Sequence, residues 1–184
     1  MNYCSDCGAA TRQAVPDGDN RQRHICSNCE MIHYQNPKVI AGVLPTWGEQ
    51  ILLCRRDIEP RRGFWTLPAG FLENGETSLE GAIRECHEES LAHVDNCHLL
   101  GIFDIPYIDQ VYILYRGNLT DKAFAPTAES SEVALFNQNQ IPWGELAFPV
   151  VEMALDIHFA HQDKPLLASH HRVTRPWRPT PRNG

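Results

Sequence analysis

Three features are scarce in this sequence of 184 residues, and each scarcity excludes a class of protein. Basic residues are outnumbered, with 16 Lys and Arg against 23 Asp and Glu, and the net charge of -7 disfavours a nucleic-acid partner. There is no apolar run of the roughly 18–20 residues that span a bilayer, so we expect no membrane partner. The chain does not open with a charged segment followed by an apolar one, so we expect a cytoplasmic protein whose cysteines are thiols or metal ligands and not disulfides.

The seven cysteines form two groups. Four of them make two C-x2-C pairs that are 18 residues apart: Cys4, Cys7, Cys26 and Cys29. Each pair directs two thiolates to one point, and two pairs supply the four soft ligands of a tetrahedral zinc ion. We interpret them as a structural Zn2+ site, because a redox motif needs only one pair. The single cysteines, Cys54, Cys86 and Cys97, are interpreted as small buried apolar residues.

Composition divides the chain into three parts. The segment between the cysteine pairs is polar and has a turn sequence at residues 16–20, which favours two short strands. This arrangement resembles a zinc ribbon, and we assign residues 1–35 to it. Residues 36–168 are expected to form one larger domain. Residues 169–184 are rich in arginine and proline, so we predict a flexible basic tail.

The larger domain shows both strand and helix patterns. Short apolar runs predict strands at residues 39–44, 51–54, 99–103, 111–115 and 133–136. Helical spacing of apolar residues predicts one helix from Thr77 to about Leu91 and a second from about Pro149 to His161. Thr77 and Glu80 form a capping-box sequence at the start of the first helix. Strands that surround two helices indicate an α/β domain with a mixed sheet.

The first predicted helix carries an unusual concentration of acid. Glu85, Glu88 and Glu89 stand at positions i, i+3 and i+4, so three carboxylates share one turn. This charge suits a hard divalent cation, which takes oxygen ligands. Gly70, which precedes the helix, allows the backbone to approach such a site closely. Arg84 is interpreted as a fork that holds carboxylates in place. A solvated acidic helix face is the alternative.

These residues match the pattern G-x5-E-x7-R-E-U-x-E-E-x-G-U, in which U is aliphatic. The matching positions are Gly70, Glu76, Arg84, Glu85, Glu88 and Glu89, and the departures are Cys86, Leu91 and Ala92. The sequence therefore resembles the Nudix hydrolase family. The resemblance implies an α/β/α sandwich with a mixed sheet, a Mg2+ or Mn2+ cofactor, and hydrolysis of a nucleoside diphosphate linked to another group.

The resemblance also implies roles for individual residues. Glu85, Glu88 and Glu89 would be catalytic and would bind the Mg2+ or Mn2+ ion together with the carbonyl of Gly70. Glu76 and Arg84 would support these ligands from behind. A further carboxylate is expected outside the motif. Two acids precede the strand at residues 133–136, and we predict Glu132 as a metal ligand and Glu129 as the base, with solvated loop acids as the alternative.

Two subgroups are distinguished by the segment that follows the motif. The NADH pyrophosphatases carry Ser-Gln-Pro-Trp-Pro-Phe-Pro, which is missing at residues 103–110. Pro106 stands instead where ADP-ribose pyrophosphatases have a proline. The wider pattern, which includes the segments at residues 34–38 and 124–126, is similar to zinc-ribbon Nudix proteins of plant chloroplasts that split FAD and ADP-ribose. We therefore expect ADP-ribose or FAD as substrate, giving AMP plus ribose 5-phosphate or FMN. The alternatives are an NADH pyrophosphatase and a non-catalytic ADP-ribose-sensing module.

Candidate substrate-binding residues follow from the chemistry of such a nucleotide. An adenine or flavin ring needs an aromatic face, and Trp65 and Tyr107 lie in suitable segments. A pyrophosphate needs a cation, which Arg55 or Arg56 could supply at the end of a strand. Core packing of the aromatic residues and solvation of one arginine are the alternatives. A homodimer is left open.

Overall fold

The computed structural model describes residues 1–161 and 169–174. These residues divide into two compact units, of which the first spans Met1–Pro37 and the second begins at Lys38. The first unit contains three strands, β1 (Thr11–Ala14), β2 (Arg23–Cys26) and β3 (Ile32–His33). They form an antiparallel sheet in the order β1-β2-β3. The two strands predicted on either side of the turn are β1 and β2.

The second unit is built on a mixed sheet. Its strands are β4 (Lys38–Trp47), β5 (Gln50–Arg56), β6 (Trp65–Thr66), β7 (Ala69–Phe71), β8 (Val94–Ile105), β9 (Gln110–Leu119), β10 (Ser130–Phe136) and β11 (Ser169–Arg172). Its helices are α1 (Ser78–Ser90) and α2 (Pro149–Ala160). Within the described residues the order is β10-β5-β4-β9-β8-β11, with β6 beside β5 and β7 beside β4. The β4–β9 and β8–β11 pairs are parallel. All five predicted strands and both helices are present.

The two helices cover opposite faces of this sheet. On β5, Ile51 and Leu53 belong to the core that includes the apolar side of α2. The intervening Leu52 and Cys54 belong to a second core, to which α1 contributes Ala82 and Cys86. This alternation is the period of two that a strand imposes on its side chains. The predicted α/β/α sandwich is confirmed. No helix in the described part of the chain is long and apolar enough to cross a membrane.

Helix α1 begins as predicted but ends with a strained residue. The capping box is complete, since Glu80 N–H donates to Thr77 Oγ1 at 3.2 Å and Thr77 N–H donates to Glu80 Oε2 at 2.7 Å. At the other end Leu91 is left-handed, with a φ of 57°. This is the position where the family pattern has glycine. A left-handed conformation costs a residue with a Cβ about 1–2 kcal/mol.

The tail predicted from residue 169 onward is wrong at its start. Ser169–Arg172 forms β11, which pairs with β8 from Gly101 to Asp104. Val173 is buried, and its N–H donates to the carbonyl of Asp104 at 2.9 Å. Composition could not reveal this strand, because its partner lies far away in the sequence and only one apolar side chain anchors it. The rest of the predicted tail, residues 175–184, and residues 162–168 of the predicted domain lie outside the described residues.

One buried histidine carries a cost in stability. His158 on α2 is 5% exposed, and within the described residues its Nδ1 is the buried side-chain atom that lacks a hydrogen-bond partner. Burial lowers the pKa of His158 to about 4, and the charge of Arg116 adds to this effect. Because the folded pKa is depressed, the folded state is favoured above the ordinary pKa of 6.5. That stability is lost as the pH falls toward 4.

We therefore expect His158→Leu to raise the free energy of unfolding. The gain should be about 1 kcal/mol near neutral pH, because an unpaired buried group is removed. It should grow by on the order of 2 kcal/mol as the pH falls to about 4.5, because the variant has no imidazole to protonate. Urea titrations at the two pH values measure both changes. His87→Leu, at an exposed position, is the control. A gain that did not change with pH would contradict the assignment of a neutral buried imidazole.

Candidate functional site

Arg84 lies at the centre of the carboxylate cluster. Its Nε donates to Glu76 Oε2 at 3.0 Å, and its Nη2 donates to Glu76 Oε1 at 2.7 Å and to the Phe71 carbonyl at 3.2 Å. Its Nη1 donates to Glu85 Oε1 at 2.7 Å and to Glu88 Oε2 at 3.0 Å. A guanidinium has five N–H donors, and five bonds are made here. Glu76 is therefore bound to Arg84 through both of its carboxylate oxygens, and Arg84 has no donor left for a substrate.

The carboxylates around Arg84 have opposite electrostatic environments. Hydrogen bonds from Arg84, together with one from a backbone N–H, lower the pKa of Glu76 to about 2. Burial raises the pKa of Glu85, although Arg84 opposes this effect. Burial also raises the pKa of Glu89 to about 8, and the charge of Glu85 adds to it. Glu89 is 5% exposed and accepts one bond, from Ala69 N–H at 3.3 Å. Glu89 is thus a buried acid and Glu85 a half-buried one, and the protein compensates their charge only in part.

Gly70 on β7 lies directly against Glu85. A Cβ built on Gly70 would overlap the carboxylate carbon and both carboxylate oxygens of Glu85. β7 is held in this place by antiparallel pairing with β4, in which Gly70 faces Ala41. The glycine is therefore required by the close approach of a side chain, as the sequence predicts for a backbone that borders a metal site.

The two acids that precede or begin β10 point to different partners. Glu129 adds to the negative potential at Glu85 and at Glu89 and acts to raise the pKa of both. Glu132 forms an ion pair with Arg55 at 3.4 Å, and its side chain is 52% exposed. Glu129 precedes β10, whereas Glu132 lies within it and faces Arg55 across the β10–β5 pair. The structure thus places Glu129, and not the predicted ligand Glu132, near the carboxylates of α1.

The two predicted arginines also diverge. Arg55 and Arg56 are consecutive on β5, so their side chains leave on opposite faces of the sheet. The guanidinium of Arg55 is paired with Glu132. The guanidinium of Arg56 lies 5.2 Å from the centre of the Phe148 ring, and its charge acts to lower the pKa of Glu89. Arg56 is therefore the arginine of this pair whose field reaches the acidic cluster.

Of the two predicted aromatic residues, one is unsuited to stacking on a ligand. Trp65 is 6% exposed and packs edge-on against Phe136, with ring centroids 4.9 Å apart. Trp65 is a core residue. The prediction that it stacks on a nucleotide ring is therefore wrong, because core side chains already cover it. Tyr107 is 49% exposed in a helical turn, Pro106–Ile108. A further aromatic residue, Tyr112, lies within reach of the charges of Arg56 and Glu89, and burial raises its pKa to about 12.

The four paired cysteines converge as predicted. Their Sγ atoms all lie within 4.8 Å of one another, with separations of 3.4 Å for Cys7–Cys26, 3.6 Å for Cys7–Cys29 and 3.8 Å for Cys4–Cys29. A tetrahedral zinc ion with bonds of about 2.3 Å spaces its sulfur ligands by about 3.8 Å. Backbone N–H groups donate to the sulfurs of Cys4 and Cys26 at 3.4 Å. The donor set and its dimensions fit zinc.

The glutamates are less tightly gathered than the cysteines. Within the described residues, the ligand atoms of the four cysteines all lie within 4.8 Å of one another. The glutamate carboxylates do not form a group as compact as this. Arg84 draws Glu85 and Glu88 toward itself, and the partly uncompensated charges repel one another. A divalent cation fits the chemistry of this cluster, because it would compensate the charge of Glu85 and Glu89 with the oxygen ligands it prefers.

Comparison with known proteins decides the family. A model described as Nudix N-terminal matches residues 2–35, and the NUDIX domain model matches residues 36–153, more than half of the chain. The chain belongs to the NUDIX hydrolase family. A NUDIX hydrolase structure from Nitrosomonas europaea has a TM-score of 0.87 and 44% identity, and the match covers 94% of this chain and 100% of that one.

Curated relatives in the NUDIX family carry two kinds of name. The NAD-capped RNA hydrolase NudC of Vibrio parahaemolyticus is 34% identical over 84% of this chain and 60% of its own length. The NudC of Pseudomonas fluorescens Pf0-1 is 26% identical over 87% of this chain and 56% of its own. The ADP-ribose pyrophosphatase of Methanocaldococcus jannaschii is 29% identical over 62% of this chain and 69% of its own. The chain therefore spans less than two thirds of the length of these NudC relatives. The resemblance to the chloroplast proteins stays a prediction.

For the ribbon, we expect about one zinc per chain on elemental analysis, since four thiolates fill a tetrahedral ion. Cys26→Ala should lose that zinc and increase hydrogen exchange across residues 1–35, because β1 and β2 then lose their shared anchor. Cys97→Ala, outside the cluster, should keep both properties. Protein purified without chelators that held no zinc would contradict the assignment.

For the acidic cluster, we expect Gly70→Ala to lower kcat by about 100-fold, because the new methyl group displaces the Glu85 carboxylate. Folding should change little, since a carboxylate at the end of a flexible side chain can move aside. Gly144→Ala is the matched control, because a Cβ there meets open space. Steady-state kinetics and thermal unfolding of both variants test this expectation. Equal activities would show that Gly70 does not position Glu85.

Proposed function

We propose that this protein hydrolyses the pyrophosphate bond of a nucleoside diphosphate linked to a second group. The observation that supports this most strongly is the burial of Glu85 and Glu89 beside the charge of Glu129, while Arg84 is fully occupied. A cation from outside the chain would compensate the charge of these acids and so favour their ionised form. Glu85, Glu89 and the carbonyl of Gly70 would hold Mg2+ or Mn2+. When bound, the ion would neutralise phosphate oxygens and orient a water molecule for attack on phosphorus.

The residues of the chain divide the remaining work. Arg84 and Glu76 fix α1 against the segment that follows β7, so that the carboxylates keep their places. Glu88 is 57% exposed and held by Arg84, so it is better placed to support the cluster than to form its centre. Glu129 lies outside the Arg84 network and is our candidate for the base that accepts a proton from the attacking water. Arg56 would bind the anionic pyrophosphate next to Glu89.

For the linked group, we infer the NAD(H) class first and ADP-ribose second. Relatives that match 84–87% of this chain are named NAD-capped RNA hydrolases, and one that matches 62% is named an ADP-ribose pyrophosphatase. This reverses the order expected from the sequence, in which residues 103–110 lack the signature of NADH pyrophosphatases. Those residues form the end of β8 and the turn that exposes Tyr107. That turn is where we expect the linked group to be selected.

A non-catalytic sensor of ADP-ribose is the less favoured function. A protein that only binds a nucleotide has no need of a buried acid, such as Glu89, whose pKa is raised further by the charge of a neighbouring acid. Such groups destabilise the fold unless a cation accompanies them.

A panel of NADH, ADP-ribose and FAD, each with Mg2+ or Mn2+, tests the proposed function. We expect AMP as a product from NADH and from ADP-ribose, with the higher kcat/KM for NADH. Products are identified by chromatography. A preference for FAD or ADP-ribose under the same metal condition would restore the order expected from the sequence. No cleavage of any of them would favour the sensor.

Glu89→Gln should lower kcat by orders of magnitude, because it removes a charge that the cation requires. Glu76→Gln should cost about 10–100-fold, because Glu76 acts through Arg84. In the presence of a chelator, Glu89→Gln should also stabilise the protein at high pH. The pKa of Glu89 is raised to about 8, so ionisation opposes folding as the pH rises through that value.

The stability gain should be on the order of 2 kcal/mol near pH 9 and should vanish below the ordinary pKa of 4.5. Thermal unfolding over this pH range measures it. Glu145→Gln, at an exposed position, is the control. Near-normal turnover of Glu89→Gln on every substrate would contradict the metal assignment.

A further inference from the structure

A histidine outside the cysteine motifs contacts the proposed zinc site. His33 is the last residue of β3, is 8% exposed, and places Nε2 3.3 Å from Cys4 Sγ. Cys4 itself is 4% exposed, whereas Cys7 and Cys29 are open to solvent. The group of ligand atoms that all lie within 4.8 Å of one another contains only the four cysteine sulfurs. The imidazole nitrogens of His33 do not belong to it. His33 therefore lies behind one ligand and not among the ligands.

We propose that His33 is a positioning residue of the zinc site and donates a hydrogen bond from Nε2 to the zinc-bound thiolate of Cys4. This inference rests on the zinc site and is independent of the substrate. A zinc-bound thiolate carries no proton, so the hydrogen of the 3.3 Å contact has to come from the imidazole. Zinc binding thus selects the tautomer of His33 that is protonated on Nε2.

The environment of Cys4 explains why this donor matters. Four thiolates around one Zn2+ leave an excess of negative charge, and at Cys4 that charge is buried. A backbone N–H supplies one donor at 3.4 Å, and His33 supplies a second from a side chain. Donors to a ligand raise metal affinity because they stabilise its charged form and fix its direction.

The same contact ties a weak strand to the metal. β3 has two residues and is paired with β2 through the partners His24–His33 and Ile25–Ile32. So short a strand is held by few backbone bonds. The bond from His33 to Cys4 connects it to the N-terminal cysteine pair, which is 29 residues away in sequence. Metal binding is therefore expected to order β3 as well as the two C-x2-C turns.

Three variants of the full chain separate hydrogen bonding from packing. His33→Phe keeps a planar ring and removes the donor, and His33→Gln keeps an N–H donor. His24→Phe alters the cross-strand partner of His33 and serves as the matched control. Zinc affinity is measured by competition with a chromophoric chelator. We expect about 10-fold weaker binding for His33→Phe, partial rescue in His33→Gln and no change in His24→Phe. Equal losses in all three variants, or no loss in His33→Phe, would overturn the proposal.

A spectroscopic measurement on the unmodified sequence does not depend on the variants being folded. In protein loaded with NMR-active cadmium in place of zinc, the metal should show a scalar coupling to the His33 Nε2 proton across the N–H···S bond. A purely structural histidine would show none. Absence of the coupling, a His33 ring protonated only on Nδ1, or direct metal–nitrogen bonding in X-ray absorption would each overturn the proposal. Activity is not measured, so failure here and failure of the proposed hydrolysis are distinguishable.

Discussion

The acidic site depends on the guanidinium of Arg84, which holds carboxylates together that would otherwise repel one another. Its five bonds join a carbonyl of β7 and the carboxylate of Glu76 to two acids of α1. It compensates the acids unequally. Glu76 is held as a stable anion, whereas Glu89, which Arg84 does not touch, is buried with a raised pKa. The guanidinium of Arg84 therefore fixes Glu76 in its ionised form, but it leaves the carboxylate of Glu89 without a neighbouring cation in contact among the described residues.

The strands of the sheet determine which further charged side chains lie near the carboxylates of α1. Alternation along β5 places Arg55 and Arg56 on opposite faces and leaves Arg55 to pair with Glu132. Glu129 lies in the segment before β10, and Glu132 lies within the strand, where it pairs with Arg55. Arg56 and Glu129 thus act on the carboxylate of Glu89. Their neighbours in the sequence, Arg55 and Glu132, form an ion pair with each other. The composition of the site follows from strand geometry as much as from the motif.

Local signals in the sequence were sufficient for much of this structure. The capping box of α1 and the convergence of the cysteine pairs both follow from short spacings. The choice between Glu129 and Glu132 did not, because it depends on the ion pair of Glu132 with Arg55, which lies 77 residues away in the sequence. Trp65 was assigned to the ligand because an aromatic side chain has the same sequence appearance in a core and in a pocket. The sequence does not predict β11 or the contact of His33 with Cys4, because each depends on residues that only the folded chain brings together.

The pairing of β4 with β9 has a consequence for the way the chain folds. In this parallel pair Lys38 faces Gln110 and Thr46 faces Asn118, so the centre of the sheet joins segments about 72 residues apart. Loops of that length must close before the strands gain any hydrogen bond, which makes such contacts slow to form. The contacts of the first unit, such as Thr11 with Cys26, span far shorter distances along the chain. We expect the ribbon to fold early around its metal, while the sheet nucleates late and limits the rate at which the whole chain reaches its native state.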